Sequence, residues 1–188
     1  MKQMIILAVL LLFSLTSVQA GQRVEMKTSL GTITLELNDE KAPVTVKNFL
    51  NYVDQKFYDG TIFHRVIANF MIQGGGFDTA PKRKNSLTPI KNEADNGLSN
   101  AKGTIAMART GVIDSATSQF FINLKDNAFL NHRGKTGKTY GYAVFGKVVE
   151  GLDVVEAIGK VRTVAKNQLF RNYPEQLVVV ESVRRVEN

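Results

Sequence analysis

The chain has 188 residues, 44% hydrophobic and 22% charged, which is typical of one globular domain with its own core. It contains no cysteine, which excludes disulfides, thiol nucleophiles and cysteine-ligated metal sites. The formal net charge of +7 is compatible with an acidic partner. Because the basic residues are scattered and lack interleaved aromatic residues, we interpret the charge as a solvated surface and expect no nucleic-acid partner.

The first twenty residues differ in character from the rest of the chain. Lys2 precedes an apolar run over residues 4–13, and Val18-Gln19-Ala20 fits a small-x-small cleavage site. A transmembrane anchor is the alternative, but a span needs about 20 apolar residues and this run is shorter. The pattern therefore predicts a signal peptide over 1–20, and a mature domain over 21–188 that is exported, most simply to a periplasm, and does not stay in the membrane.

The next elements are a hairpin and a helix. Residues 24–28 and 32–37 alternate polar and apolar side chains and can pair across a turn near Gly31. Ala42-Pro43 then opens a helix, because proline is tolerated in the first turn. The apolar face of that helix follows at i, i+3, i+4 and i+7: Val46, Phe49, Leu50 and Val53.

The rest of the chain is mainly strand-like. Residues 74–98 predict a long loop, and 151–158 a short second helix. The segments with strand character are 61–67, 70–73, 103–108, 118–124, 142–149 and 177–186. Many strands and two helices in one undivided domain suggest a closed or nearly closed β-barrel covered by the helices.

Several chemistries find no support in the sequence. The only two histidines, His64 and His132, belong to no metal-ligand motif, so we expect no metal site. The segment GKTGKT (134–139) echoes a phosphate loop, but the first glycine of that motif is replaced by His132. No paired carboxylates and no Gly-x-Ser-x-Gly elbow accompany the strands. We therefore expect no cofactor.

The segment 118–124 has two unlike faces. Side chains alternate along a strand, so one face consists of Phe120, Ile122 and Leu124 and predicts core. The opposite face consists of Gln119, Phe121 and Asn123, and Met71 with Gln73 repeats its mixture of amide and apolar groups. Such a face is either a shallow binding surface or a barrel exterior with an incidental phenylalanine.

Arg65 lies within the apolar stretch FHRVIANFMIQGG (63–75). Burying an unpaired charge costs several kcal/mol, so its guanidinium must either be paired or border an apolar pocket where a ligand meets it.

Five motifs together resemble the cyclophilin family over nearly the whole of residues 21–188. They are FHRVIANFMIQGG (63–75), GTIAMA (103–108), SQFFINL (118–124), NAFL (127–130) and YAVFGKVVEG (142–151). The bacterial periplasmic branch is the most similar. The resemblance implies a peptidyl-prolyl cis-trans isomerase that needs no cofactor. It also implies a mainly β fold, a closed eight-stranded antiparallel barrel capped by two α-helices.

The resemblance also implies roles for matching residues, with Arg65 as the catalytic residue. Phe70, Met71, Phe121 and Leu130 match the proline pocket; Gln73 and Gln119 match amides that hold the substrate backbone; Ala108 and Arg109 match the strand edge along the peptide; Phe129 and Tyr142 occupy positions where many relatives have Trp and His. Since that Trp contributes to cyclosporin binding, we expect any cyclosporin binding to be weak.

Two other functions are compatible with this sequence. The same groove could serve a peptide-binding or chaperone module in which isomerisation is incidental. A barrel carrying a small apolar ligand is the third possibility, but it predicts an open interior, whereas Phe120 and Ile122 predict a filled one. We expect the partners to be proline-containing unfolded or exported polypeptides, and the protein to be a monomer.

Overall fold

The computed structural model describes residues 22–186, so the predicted signal peptide lies outside the described residues. The strands are β1 (Arg23–Thr28), β2 (Gly31–Leu37), β3 (Thr61–Ile62), β4 (Arg65–Ile67), β5 (Met71–Gly74), β6 (Thr104–Met107), β7 (Phe120–Asn123), β8 (Val144–Glu150), β9 (Thr163–Val164), β10 (Tyr173–Pro174) and β11 (Val179–Val186). The helices are α1 (Pro43–Asp54), α2 (Leu152–Gly159) and a short 3₁₀ helix, Ala128–Leu130.

Nine of the strands form one antiparallel sheet in the order β3-β11-β1-β2-β8-β6-β7-β5-β4. Its two end strands, β3 and β4, are separated in the chain only by Phe63 and His64. Counted as one interrupted strand over 61–67, they close the sheet into eight strands. The predicted mainly β antiparallel barrel with two helices is confirmed, and it differs in this one interruption.

The interruption has a simple cause, because the chain changes partner there. Ile62 lies opposite Val179 of β11, whereas Arg65 lies opposite Gln73 of β5. A separate two-stranded sheet, β9 with β10, was not predicted, since strands of two residues leave no periodicity to detect.

Both helices begin where the sequence predicts. Pro43 is at the first position of α1, and Phe49 is fully buried with its ring 5.9 Å from Phe120 and 5.2 Å from Phe145. Gly151 precedes α2 with a left-handed φ of 79°, and a Cβ there would clash with the carbonyl oxygen of Thr32. Within residues 22–186, no helix is both long and apolar enough to cross a membrane.

Strands β5, β6 and β7 bury apolar side chains on both faces. Ile72 and Ile122 belong to the main core that fills the barrel, together with Phe120. On the opposite face, the outer cluster consists of four buried residues, Met71, Ala106, Phe121 and Val144, with partly buried neighbours around them. The outer cluster supports the candidate site.

Candidate active site

A small cavity opens on the outer cluster, with a volume of about 110 Å³. Sites for drug-sized ligands are roughly 300–1,000 Å³, so this one suits a single small apolar group. Its nine lining residues are all among those predicted for the site: Arg65, Phe70, Met71, Gln73, Ala108, Arg109, Phe121, Leu130 and Tyr142. The structure thus brings together residues up to 77 positions apart in the sequence.

Sheet register explains how three of these side chains meet. Arg65 of β4 lies opposite Gln73 of β5, and Gln73 lies opposite Phe121 of β7. Residues directly opposite one another share a face of the sheet. A cation, an amide and an aromatic ring therefore form one row across three strands.

The cavity has an apolar floor. Met71 is 2% exposed and Phe121 is 4% exposed. The Phe121 ring meets the ring of Tyr142 edge to face, with 5.6 Å between centroids. Because the floor is apolar and almost inaccessible to solvent, polar groups at its rim act in a medium of lower dielectric than bulk solvent.

Arg65 borders this floor and is partly buried. Its Nη1 donates a hydrogen bond to Gln73 Oε1 at 3.2 Å, and within residues 22–186 it forms no ion pair with a carboxylate. Burial lowers the pKa of its guanidinium below the ordinary value. Of the two arrangements that the sequence left open, the structure shows an arginine at the edge of an apolar pocket, with one of its five N–H groups hydrogen-bonded within residues 22–186.

Gln119 extends the polar row away from the cavity. Gln73 Nε2 donates to Gln119 Oε1 at 3.0 Å, so the chain of hydrogen bonds runs from Arg65 through two amides. Gln119 packs against Gly76, where an added Cβ would lie 2.5 Å from its Cγ. Gln119 does not line the small cavity itself.

Arg109 has a structural role that its sequence position did not reveal. Its Nε and Nη2 donate to the carbonyl oxygens of Gly141 and Gly137, both at 2.8 Å, and its Nη1 donates to Thr110 O at 2.9 Å. The guanidinium also lies over the ring of Tyr142. The side chain therefore holds the loop that leads into Tyr142, which is one wall of the cavity.

Phe129 lies at the rim rather than in the cavity. It is 56% exposed and stacks on Phe70, with 5.6 Å between ring centroids and 22° between ring planes. Any contact it makes with a ligand would extend beyond the space that Phe70 lines.

A buried amide network beneath the site was not predicted. Asn123 was assigned to a polar, non-core face, but it is 0% exposed and does not line the cavity. Its Nδ2 donates to Thr104 Oγ1 at 2.9 Å, and its Oδ1 accepts from Asn127 Nδ2 at 2.8 Å. Asn127 Nδ2 also donates to Phe70 O at 2.9 Å. The network thus fixes the backbone that carries Phe70, and no sequence spacing pointed to it.

His64, next to Arg65, is buried and its Nδ1 has no hydrogen-bond partner within the described structure. Burial, followed by the positive charges of Arg65 and Arg83, lowers its pKa from 6.5 to about 4. Its imidazole is therefore neutral near pH 7. No three His, Cys, Asp or Glu side chains in residues 22–186 are grouped so that they could hold a metal ion.

The fold and site define a β-barrel protein with a small, apolar-floored cavity on the outer face of the sheet. The chain belongs to the cyclophilin family: residues 23–185 match the family model described as cyclophilin type peptidyl-prolyl cis-trans isomerase/CLD. The family and the enzyme class predicted from the sequence motifs are thereby confirmed.

Curated relatives agree with this assignment over most of their length. The chain is 60% identical over 161 residues to peptidyl-prolyl cis-trans isomerase cyp18 of Streptomyces antibioticus, covering 86% of this chain and 96% of the relative. It is 49% identical over 193 residues, with full coverage of both chains, to peptidyl-prolyl cis-trans isomerase A of Dickeya dadantii.

A solved structure supports the fold. The crystal structure of a Cryptosporidium parvum cyclophilin type peptidyl-prolyl cis-trans isomerase matches with a TM-score of 0.72 and 24% identity, covering 89% of this chain and 98% of that one.

Proposed function

We propose that this enzyme accelerates rotation about Xaa-Pro bonds in exported polypeptides, and that Arg65 stabilises the twisted amide of the transition state. The observation that carries the proposal is the position of Arg65, a guanidinium without a carboxylate partner in the described structure, at the edge of an apolar cavity.

The reaction explains why such an arrangement is useful. Amide conjugation gives the peptide bond a rotational barrier of ~18–20 kcal/mol, and an Xaa-Pro bond takes tens to hundreds of seconds to interconvert. Twisting breaks the conjugation, so the proline nitrogen becomes pyramidal and gains a lone pair. A donor that binds this lone pair favours the transition state over both ground states.

Arg65 suits the role of donor because its guanidinium stays charged and has five N–H groups in a rigid fork. Gln73 Oε1 accepts one of them and orients the group. The floor formed by Met71 and Phe121 would hold the proline ring while the acyl side turns. No bond is broken and no proton is transferred in this mechanism.

The remaining predicted residues would hold the substrate around that ring. Gln73 and Gln119 offer amides to the peptide backbone, and Ala108 with Arg109 offers the end of β6. Phe129 is placed to touch residues beyond the proline, because it stacks on the cavity-lining Phe70.

Replacing Arg65 with alanine tests the mechanism. We expect kcat/KM on a proline-containing test peptide with neutral side chains to fall by about 10²-fold or more, since removing one transition-state donor costs other enzymes about 10²–10³. Arg65→Lys should restore only part of the loss, because an ammonium lacks the planar fork. Arg171→Ala, which removes an exposed arginine that does not line the small cavity, is the matched control. Unchanged turnover by the folded Arg65→Ala protein would refute the role of Arg65.

The same variant distinguishes an isomerase from a peptide-binding module. If binding is the primary function, Arg65→Ala should lose isomerisation yet suppress aggregation of an unfolded client as well as the wild type does. If the two activities fall together, the groove acts mainly through catalysis.

Export is proposed from the sequence alone, on the pattern of residues 1–20. Mass spectrometry of the protein recovered from a periplasmic fraction should give a chain that begins at Gly21. A full-length chain confined to the cytoplasm would contradict the proposed location. Gel filtration with light scattering tests the expected monomer.

A further inference from the structure

We propose that a second cavity, beside the small cavity that would hold the proline ring (the proline cavity), binds an acidic side chain of the substrate polypeptide, and so selects sequences with Asp or Glu near the isomerised proline. The inference rests on the proposed function. The second cavity has a volume of about 380 Å³ and shares Arg65, Gln73, Ala108 and Arg109 with the proline cavity. A substrate polypeptide whose proline occupies the proline cavity therefore runs next to the opening of the second cavity.

The charged lining of the second cavity is all of one sign. Three arginines line it, Arg65, Arg83 and Arg109, and none of its other lining residues carries a carboxylate. A cavity lined by one sign of charge raises the local concentration of the opposite charge.

None of the three arginines is neutralised within the described structure. Arg65 donates to the Gln73 amide, and Arg109 donates to three backbone carbonyls. Arg83 is exposed and lies 5.3 Å from the centre of the Phe77 ring. No ion pair among residues 22–186 involves any of them.

Two aspartates in neighbouring loops accept hydrogen bonds from backbone N–H groups. Asp78 Oδ1 accepts from the backbone N–H groups of Ala80 and Lys82, at 3.0 and 2.9 Å, and Asp114 Oδ1 accepts from the N–H of Asn92 at 2.8 Å. Neither aspartate lines the cavity. The positive charge is therefore available to a ligand.

The positive charge around the second cavity also contributes to the lowered pKa of His64. His64 lines the second cavity, and after burial the charges of Arg65 and Arg83 are what lower its pKa. It is neutral near pH 7, so it adds no charge of its own. Gln119 Oε1 already accepts from Gln73, which leaves the Gln119 amide nitrogen as a further donor toward a carboxylate.

The shared wall of the two cavities limits which substrate positions can place a side chain in the second cavity. An extended chain advances about 3.3–3.6 Å per residue, so two cavities with a common wall are spanned by a residue within about three positions of the proline. Both directions along the peptide are compatible with the shared lining.

The test uses a set of neutral host peptides with one central Xaa-Pro bond. Glu is placed in turn at each of the three positions on either side of that bond, and Gln at the same position is the uncharged match. For at least one position we expect kcat/KM to be about threefold to tenfold higher for Glu than for Gln, the range of a solvent-accessible arginine–carboxylate contact with more than one donor. The preference should shrink from low salt to about 0.5 M salt, because exposed charges are screened.

The variant Arg83→Gln separates this inference from the proposed function. It should lower the Glu-to-Gln ratio of kcat/KM toward 1, because this ratio compares two peptides within one variant and cancels any change in activity on the neutral host. Lys125→Gln, which removes an exposed charge that lines neither cavity, should leave the Glu preference intact. A Glu-to-Gln ratio below about 2 at all six positions in the wild type, with normal turnover of the neutral host, overturns the acidic preference and leaves the isomerase intact.

Discussion

The guanidinium carbon of Arg109 lies 4.8 Å from the centre of the Tyr142 ring, over its face. The same Tyr142 ring packs edge to face with the ring of Phe121 in the cavity floor. Since Arg109 also donates to the carbonyls of Gly137 and Gly141, one side chain joins the end of β6 to the loop that carries a wall of the small cavity. Arg109 therefore holds the Tyr142 wall of the small cavity and also lines the second cavity.

Removal of the Arg109 guanidinium should make the position of Tyr142 in the cavity wall less fixed. We expect Arg109→Gln to raise KM for a neutral proline peptide severalfold with a smaller change in kcat, because it removes two or three hydrogen bonds that position Tyr142 but leaves Arg65 in place. Arg109→Lys should recover little, since one ammonium cannot reach three carbonyls in a plane.

Hydrogen exchange gives an independent measurement of the same effect. Amides of residues 132–141 should exchange faster in Arg109→Gln than in the wild type. Lys138→Gln, which removes an exposed charge from the same loop, is the matched control and should leave both KM and exchange unchanged. Wild-type exchange rates in Arg109→Gln would contradict the positioning role.

Gly76→Ala should impair catalysis by displacing Gln119. An added Cβ would lie 2.5 Å from Gln119 Cγ, and the shift would break the hydrogen bond from Gln73 that helps orient Arg65. Kinetics on a neutral peptide should show a severalfold fall in kcat/KM, with a small change in thermal midpoint because Gln119 is partly exposed and can move. Gly111→Ala, with open space around its Cβ, should behave as the wild type. A fully active Gly76→Ala enzyme would show that the amide chain does not orient Arg65.

His64 should make stability depend on pH between about 4 and 6.5. The folded state lowers its pKa to about 4, so as the pH falls below 6.5 the unfolded chain takes up the proton first. Stability is therefore lost on going from pH 6.5 to 4 and regained as the pH rises, by on the order of 3 kcal/mol in all.

Urea unfolding at several pH values measures this dependence. His64→Phe keeps a ring beside Phe77 and removes the titration, so its stability should change much less across the window. The carboxylates of Asp54 and Asp59 do not interfere, because hydrogen bonds from Arg185 and Arg184 lower their pKa and their contribution is lost only below about 3.8. Parallel pH profiles for the variant and the wild type would contradict the assignment to His64.

Asn123→Ala should destabilise the fold. The substitution removes the hydrogen bonds of Asn123 with Thr104 Oγ1 and with Asn127 Nδ2, whose remaining partners are Ala101 O and Phe70 O. Each lost hydrogen bond costs about 0.5–1.5 kcal/mol, and the missing amide leaves a gap at a fully buried position. We expect denaturant unfolding to show a loss of about 2–3 kcal/mol. Asn85→Ala, at an exposed asparagine, should change stability by no more than about 0.5 kcal/mol. Equal stability of the two variants would mean that the network is dispensable.

Periodicity predicted the elements that repeat a pattern and missed those that do not. The hairpin, α1 and α2 follow from alternation and from the i, i+3, i+4 spacing, and they appear within a residue or two of the predicted bounds. The break at Phe63 and His64 depends on two different partner strands, β11 and β5, which no local pattern encodes.

The site shows the same division. Alternation separated Phe121 from Phe120, and the motif resemblance supplied the residues that line the small cavity. The contacts of Arg109 with carbonyls 28 and 32 residues away depend on how a loop closes, and the burial of Asn123 depends on Asn127 folding back over it. Such long-range contacts between polar groups leave no trace in spacing.

The placement of Ile72 inside the barrel and Met71 outside it has a consequence for how the protein can change. Under the proposed function, adjacent positions on one strand meet separate requirements: Ile72 contributes to the core of the barrel, and Met71 to the shape of the cavity that would bind the substrate. Substitutions at Met71 and Gln73 can therefore alter the cavity, while Ile72 continues to fill the core of the barrel.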